Sequence, residues 1–164
     1  MIVAILSADW HLSHKPPVAR SAEPDWKVAQ ARPLAQLREL SETHSCPVIV
    51  AGDIFDKWNT PAETINFAIE NMPHVFAVSG NHDQPFHRLD EIERSAYWTL
   101  VKAGKVTNLR ASRTTGAGDM EMTGFAHGVR VRPPKKPSSL CLQIAVIHAY
   151  LWTIGKGKHP HARK

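Results

Sequence analysis

The sequence predicts an α/β fold built on a mostly parallel sheet, and three observations predict it. Four short runs rich in Val and Ile, at Ile2–Leu6, Val48–Ala51, Val75–Val78 and Ile144–Ile147, read as strands buried on both faces. Stretches with helical spacing separate them. Strands that alternate with helices pair in parallel, and right-handed crossovers then lay the helices on the faces of the sheet. Finally, each run is followed within a few residues by side chains that bind metal ions.

Taken in order, the first run is an expected strand. It has no positive flank and no small-residue cleavage site, and polar Asp9 and His11 follow at once, so a signal peptide is not expected. Residues Asp25–Thr43 carry Val28, Ala31, Ala35, Leu37 and Leu40 at imperfect helical spacing, with Pro33 marking a helix start or break. A second helix is expected with Thr60 as N-cap, Pro61 at its first position and Glu63 reaching back, ending near Asn71. Asp90–Ala103 reads as a third. After Val106 the pattern changes to alternating stretches at Met120–Phe125 and Val129–Val131, a Gly-containing loop over Ala111–Gly118 and a Pro/Lys stretch over Arg132–Ser139. Antiparallel strands and loops are expected there. The basic, His-rich residues 155–164 read as an unpacked tail, leaving one domain over residues 1–154.

A chain of 164 residues suffices for one domain with a substantial core. Its 43% hydrophobic and 21% charged residues are those of a globular protein, and no apolar run reaches the roughly 18 residues of a membrane helix. Cys46 and Cys141 form no C-x-x-C pair, which argues against a disulfide framework or a thiolate zinc site and for free thiols in a reducing, cytoplasmic setting. The net charge of +5 suits a polyanionic partner but bears on association rather than on fold.

The chemistry is concentrated at the strand ends. The first run leads to Asp9 and His11, the second to Gly52-Asp53-Ile54-Phe55-Asp56, the third to Gly80-Asn81-His82-Asp83 and the fourth to His148. In an open α/β sheet the carboxyl ends of the strands line one crevice, so the four groups are expected to face a common site. Carboxylate, imidazole and amide donors without thiolate favour Mn²⁺, Fe²⁺ or Zn²⁺. A carboxylate such as Asp53 can bridge two ions, and such a pair activates water and clamps a phosphoryl oxygen. Gly52 and Gly80 suit strand ends that turn sharply, by φ > 0 or close backbone approach.

These residues resemble the signature of the calcineurin-like metallophosphoesterases: D-x-H, G-D-x-x-D, G-N-H-D/E and a lone His, in that order, followed by G-H-x-H. The resemblance implies a two-sheet sandwich flanked by helices and a site with two divalent metal ions. It implies Asp9, His11 and Asp53 on the first metal and Asp53, Asn81 and His148 on the second. His82 would stabilise the phosphoryl group and protonate the leaving oxygen, oriented by Asp56 or Asp83. Asp-Trp-His-Leu at 9–12 and Gly-Asp-Ile-Phe-Asp at 52–56 look most like the DNA-repair exonuclease branch, phage-type members included. That branch implies Mn²⁺, DNA as substrate, and a homodimer or an ATPase partner. Protein phosphatases, nucleotidases and cyclic-nucleotide phosphodiesterases share the metal motifs, so a phosphomonoesterase or cyclic-nucleotide phosphodiesterase is the alternative. The G-H-x-H element is missing. Only Gly157-Lys158-His159-Pro160-His161 offers an H-x-H spacing, so the expectation is a chain shortened at its C-terminus, each metal lacking one imidazole, and with it the further alternative of an impaired metal-binding fragment.

Singly, each motif has an ordinary reading: a turn-capping Asp9, a helix-capping Asp53, a core His148. Their joint order at strand ends decides for the metal site. Trp10, Trp58, Trp98 and Trp152 read as packing residues, although Trp10 and Trp58 lie beside the site, where a base could stack. His87 and Arg88 are candidates for a substrate phosphate, and Lys135, Lys136, Lys156, Lys158, Arg163 and Lys164 for a phosphate-attracting surface.

Overall fold

The structure, a computed structural model, describes residues 2–112, 115–132 and 142–150. Strands β1 (Ile5–Ser7), β2 (Val48–Ala51), β3 (Val75–Val78) and β4 (Val106–Asn108) form a parallel sheet in the order β1-β2-β3-β4. Strands β5 (Thr115–Ala117), β6 (Met120–Phe125) and β7 (Leu142–Ile147) form a second sheet in the order β5-β6-β7. Helices α1 (Trp26–His44), α2 (Ala62–Asn71) and α3 (Ala96–Lys102) complete the framework.

The period-2 alternation of a strand explains how both faces of the first sheet are covered. In β2, Val48 and Val50 join the core that also holds Leu34 of α1, Ala68 of α2 and Leu100 of α3. Ile49, between them, joins the other core with Met122 of β6 and Val146 of β7. β3 repeats the pattern, with Val75 and Ala77 toward the helices and Val78 toward the second sheet. The result is a sandwich of two sheets with helices on the outer face of the parallel one.

Several expectations need correction. The first strand starts later than expected, at Ile5, and the fourth apolar run lies in the second sheet, where β7 pairs in parallel with β6. Among the described residues only β5–β6 is antiparallel. β5 occupies part of the expected 111–118 loop, and Val129–Val131 is not a strand. α1 runs through Pro33 without ending there, because Ala29, Gln30 and Leu34 on either side of it are all buried and hold the helix to the sheet against the roughly 3 kcal/mol cost of the ring. Its N-cap is Asp25, whose side chain accepts from Val28 N at 3.0 Å. α2 has Pro61 at its cap and no side-chain cap bond, since Glu63 turns instead to Lys27 and His14. The expected third helix divides into a 3₁₀ stretch, Leu89–Arg94, and α3, which Ser95 caps by accepting from Trp98 N at 3.2 Å.

Cys46 is buried, and Cys141 lies outside the described residues, as do Trp152, the 155–164 tail with His159 and His161, and the six surface cations named above. No helix among the described residues is long and apolar enough to cross a membrane.

Candidate metal centre

The loops that follow β1 and β2 run side by side. Asp9 N donates to Gly52 O at 3.1 Å, His11 N to Asp53 O at 3.0 Å and Leu12 N to Ile54 O at 2.9 Å, and Asp56 N returns to Leu12 O at 3.1 Å. Gln30, buried in α1, braces the first loop by accepting from Ser13 N at 2.8 Å and donating to Ser13 O at 3.1 Å. Sequence reasoning missed this brace because a Gln on a helix announces no long-range partner.

The loop after β3 is fastened to the second by Asp83. Its fully buried carboxylate accepts from Phe55 N and Gly80 N, each at 3.0 Å, and from Ile54 N at 3.3 Å. Burial pushes its pKa up to about 6, against the pull of those three N–H groups, with the nearby Asp53 charge adding to the rise. Asp83 thus joins loops and does not orient His82. That role falls to Asp56, through its main chain: His82 Nδ1 donates to Asp56 O at 2.7 Å.

Backbone strain gathers at the same place. Asp9, His11 and Asp53 all have positive φ, at 54°, 46° and 53°, a region that non-glycine residues enter at a cost of about 1 kcal/mol or more. Gly52 has φ +87°, and Gly80 is needed for closeness, since a Cβ there would lie 1.9 Å from Asp53 Oδ1. Both expected glycine roles are realised, one in each loop.

Asp53 is 4% exposed and lies at the centre. Its Oδ1 accepts from His82 N at 2.9 Å, while Oδ2 lies 3.8 Å from His11 Nε2 and 3.5 Å from His148 Nε2. His148, from the second sheet, donates its Nδ1–H to Ala51 O at 2.7 Å, which turns Nε2 toward Asp53 Oδ2 and toward Asn81 Oδ1 at 3.1 Å. Three electron-pair donors therefore converge on one point, an arrangement that calls for an electron-pair acceptor among them. Among the described residues two groups have the spacing to hold a metal ion: His11, Asp53 and His82 in one, Asp9, Asp53 and His148 in the other, with ligand atoms within 4.8 Å of one another.

The donor set fits two divalent cations that share Asp53. Around Asp53, Asp9 lies with His148, and His82 lies beside His11. The Asp56 carboxylate is not among these donors and lies 3.7 Å from His11 Nδ1. Arg88, a candidate for substrate phosphate, is engaged by Asp90 and Glu91, and His87 Nδ1 bonds Asn81 O at 3.1 Å. A residue the sequence reading missed, His127, stands with its ring centroid 6.1 Å from that of His148. The pairing of β6 with β7 and the bond from His127 N to Ser79 O, at 3.0 Å, bring it there.

The calcineurin-like phosphoesterase profile matches residues 4–141, which include Asp9, His11, Asp53, Asp56, Asn81 and His82 and stop short of His148. No curated protein matches the chain significantly. A match over most of the chain, a helix-flanked sandwich and a carboxylate shared by two donor groups lead to one conclusion: the chain belongs to the calcineurin-like phosphoesterase family.

Proposed function

We propose that this chain is a two-metal phosphodiesterase that cleaves DNA, with Mn²⁺ as its preferred ion. The observation that carries the two-metal reading is Asp53, nearly buried, with Oδ2 between the Nε2 atoms of His11 and His148. Asp9, His11, Asp53, Asn81 and His148 would hold the ions, and the ions supply Lewis-acid activation of water and of the phosphoryl group. His82, with Nδ1 committed to Asp56 O, keeps Nε2 for the substrate and as an imidazolium gives that proton to the leaving oxygen. Its place beside His11, with ring centroids 4.8 Å apart, is equally suited to bonding a phosphoryl oxygen next to the ion. DNA is favoured by the exonuclease-like motifs at 9–12 and 52–56 and by the net charge of +5.

The test is calorimetric titration with Mn²⁺ together with cleavage of linear DNA and of an aryl phosphodiester, for the wild type and Asp53→Ala. Two bound ions and Mn²⁺-dependent cleavage of both substrates, lost in the variant, are expected. Hydrolysis of an aryl monoester alone would overturn the diesterase reading in favour of a phosphomonoesterase. Binding without any turnover would make the chain an impaired metal-binding fragment.

A further inference from the structure

We infer that Trp58 and Phe86 form a stacking platform for a nucleobase at the edge of the metal centre. The inference rests on the phosphodiesterase reading and narrows its substrate to diesters that carry a nucleoside. The two rings lie 5.4 Å apart between centroids and are tilted by 52°, in the range of a favourable aromatic pair.

Phe86 is not a core residue, for it is 67% exposed. It is held in that position against strain: Phe86 has φ +51° and His87, next to it, has φ +59°. Two successive non-glycine residues in the left-handed region are costly, and such strain persists where the surroundings enforce it. Here they do, since His87 Nδ1 donates to Asn81 O at 3.1 Å and His87 N donates to Gln84 O at 3.1 Å. Gln84 is itself buried and donates to Ser79 Oγ at 3.2 Å and His127 O at 3.0 Å.

Trp58 is half-buried and anchored through its carbonyl, which accepts from Ala96 N at 2.8 Å. Both rings belong to the loops of the metal centre. Trp58 lies two residues after Asp56 and Phe86 four after His82, and the bond from His82 Nδ1 to Asp56 O ties those loops together. The neighbouring cation, Arg88, is engaged by Asp90 and Glu91, so the pair offers a π-face rather than charge. A base attached to a phosphate held by the metal centre would be within reach of such a face, and stacking of this kind tolerates any base sequence.

The experiment compares two diesters with the same leaving group, the p-nitrophenyl ester of thymidine 5′-monophosphate and methyl p-nitrophenyl phosphate, on the Mn²⁺-loaded chain. Phe86→Leu, which keeps apolar bulk and removes the π-face, is expected to raise KM for the thymidine ester roughly tenfold. The methyl ester should be unaffected. Independently of turnover, thymidine 5′-monophosphate should quench Trp58 fluorescence in the wild type, seen as the component lost in Trp58→Phe, and should bind Phe86→Ala roughly tenfold more weakly. Equal changes for the two esters, or superposable titrations, would overturn the platform. Should the wild type hydrolyse neither ester, the diesterase reading falls, and the fluorescence titration still decides the platform.

Discussion

Asp53 and His148 approach to 3.5 Å from different sheets, and different forces hold them there. Asp53 belongs to a loop bonded through its main chain to the loop after β1 and through Asp83 to the loop after β3. Of the strands beneath, β2 and β3 are buried almost throughout, and their Val48, Val50, Val75 and Val78 are wholly inaccessible. His148 follows β7, whose residues are mostly half-buried or exposed, and its backbone N–H donates to Phe125 O of the neighbouring strand, at 3.0 Å. The contrast teaches that the group of His11, Asp53 and His82 is intrinsic to the parallel sheet. The group of Asp9, Asp53 and His148 depends on how the second sheet docks.

The strongest way to break the contrast is to separate the loops on the intrinsic side. Gly80→Ala sets a Cβ against Asp53 Oδ1 and Asp53 N, at 1.9 and 2.5 Å, and backbone cannot swing away. A loss of about 3 kcal/mol and of both metal sites is expected. Wild-type melting and binding in this variant would refute the close-approach account.

Asp83→Asn comes next. At neutral pH it leaves at least one of three backbone N–H groups without its acceptor, at a cost of about 1–3 kcal/mol. It also changes the pH dependence of the metal-free protein. Because the folded pKa of Asp83 is raised from 3.8 to about 6, its protonated form favours the folded state, fully so below pH 3.8, and that stability is lost as pH rises toward 6. At most about 3 kcal/mol is involved, and denaturant titrations between pH 4 and 7 should show this downward slope in the wild type and not in the variant. Parallel slopes would rule out Asp83 as their source.

On the docked side, Gly124→Ala in β6 sets a Cβ 2.4 Å from Leu109 Cβ and 2.6 Å from its carbonyl carbon. About 2 kcal/mol and one of two metal ions should be lost. Smallest in stability is His148→Ala, within about 1 kcal/mol, with calorimetric stoichiometry falling from two ions to one. Loss of both ions there would show that the two groups are not separable and end the comparison.

The strands that could be read most easily are those the core surrounds. Val48–Ala51 and Val75–Val78 are continuous apolar runs because one face meets helices and the other a sheet. β4 went unseen because it is three residues long with only Val106 buried, and its place follows from pairing with β3. Thr115–Ala117 looks like a loop and becomes a strand only through β6. For the candidate site, residue types and order singled out Asp53 and the donors that lie around it. Which donors share an ion, and the parts of Gln30 and His127, depend on distances between segments far apart in the chain. Asp56 illustrates the limit: its side chain suggested the orienting group, and its carbonyl supplies it.

The left-handed backbone at Asp9, His11 and Asp53 has an implication for anyone who would engineer this scaffold. Glycine at Asp9 or His11 would relax the loop and raise the melting temperature of the metal-free protein, yet each such gain would remove a donor. Thermal selection without metal would therefore drift toward a robust, inert sandwich, with Asp9 and His11 among the first residues to change.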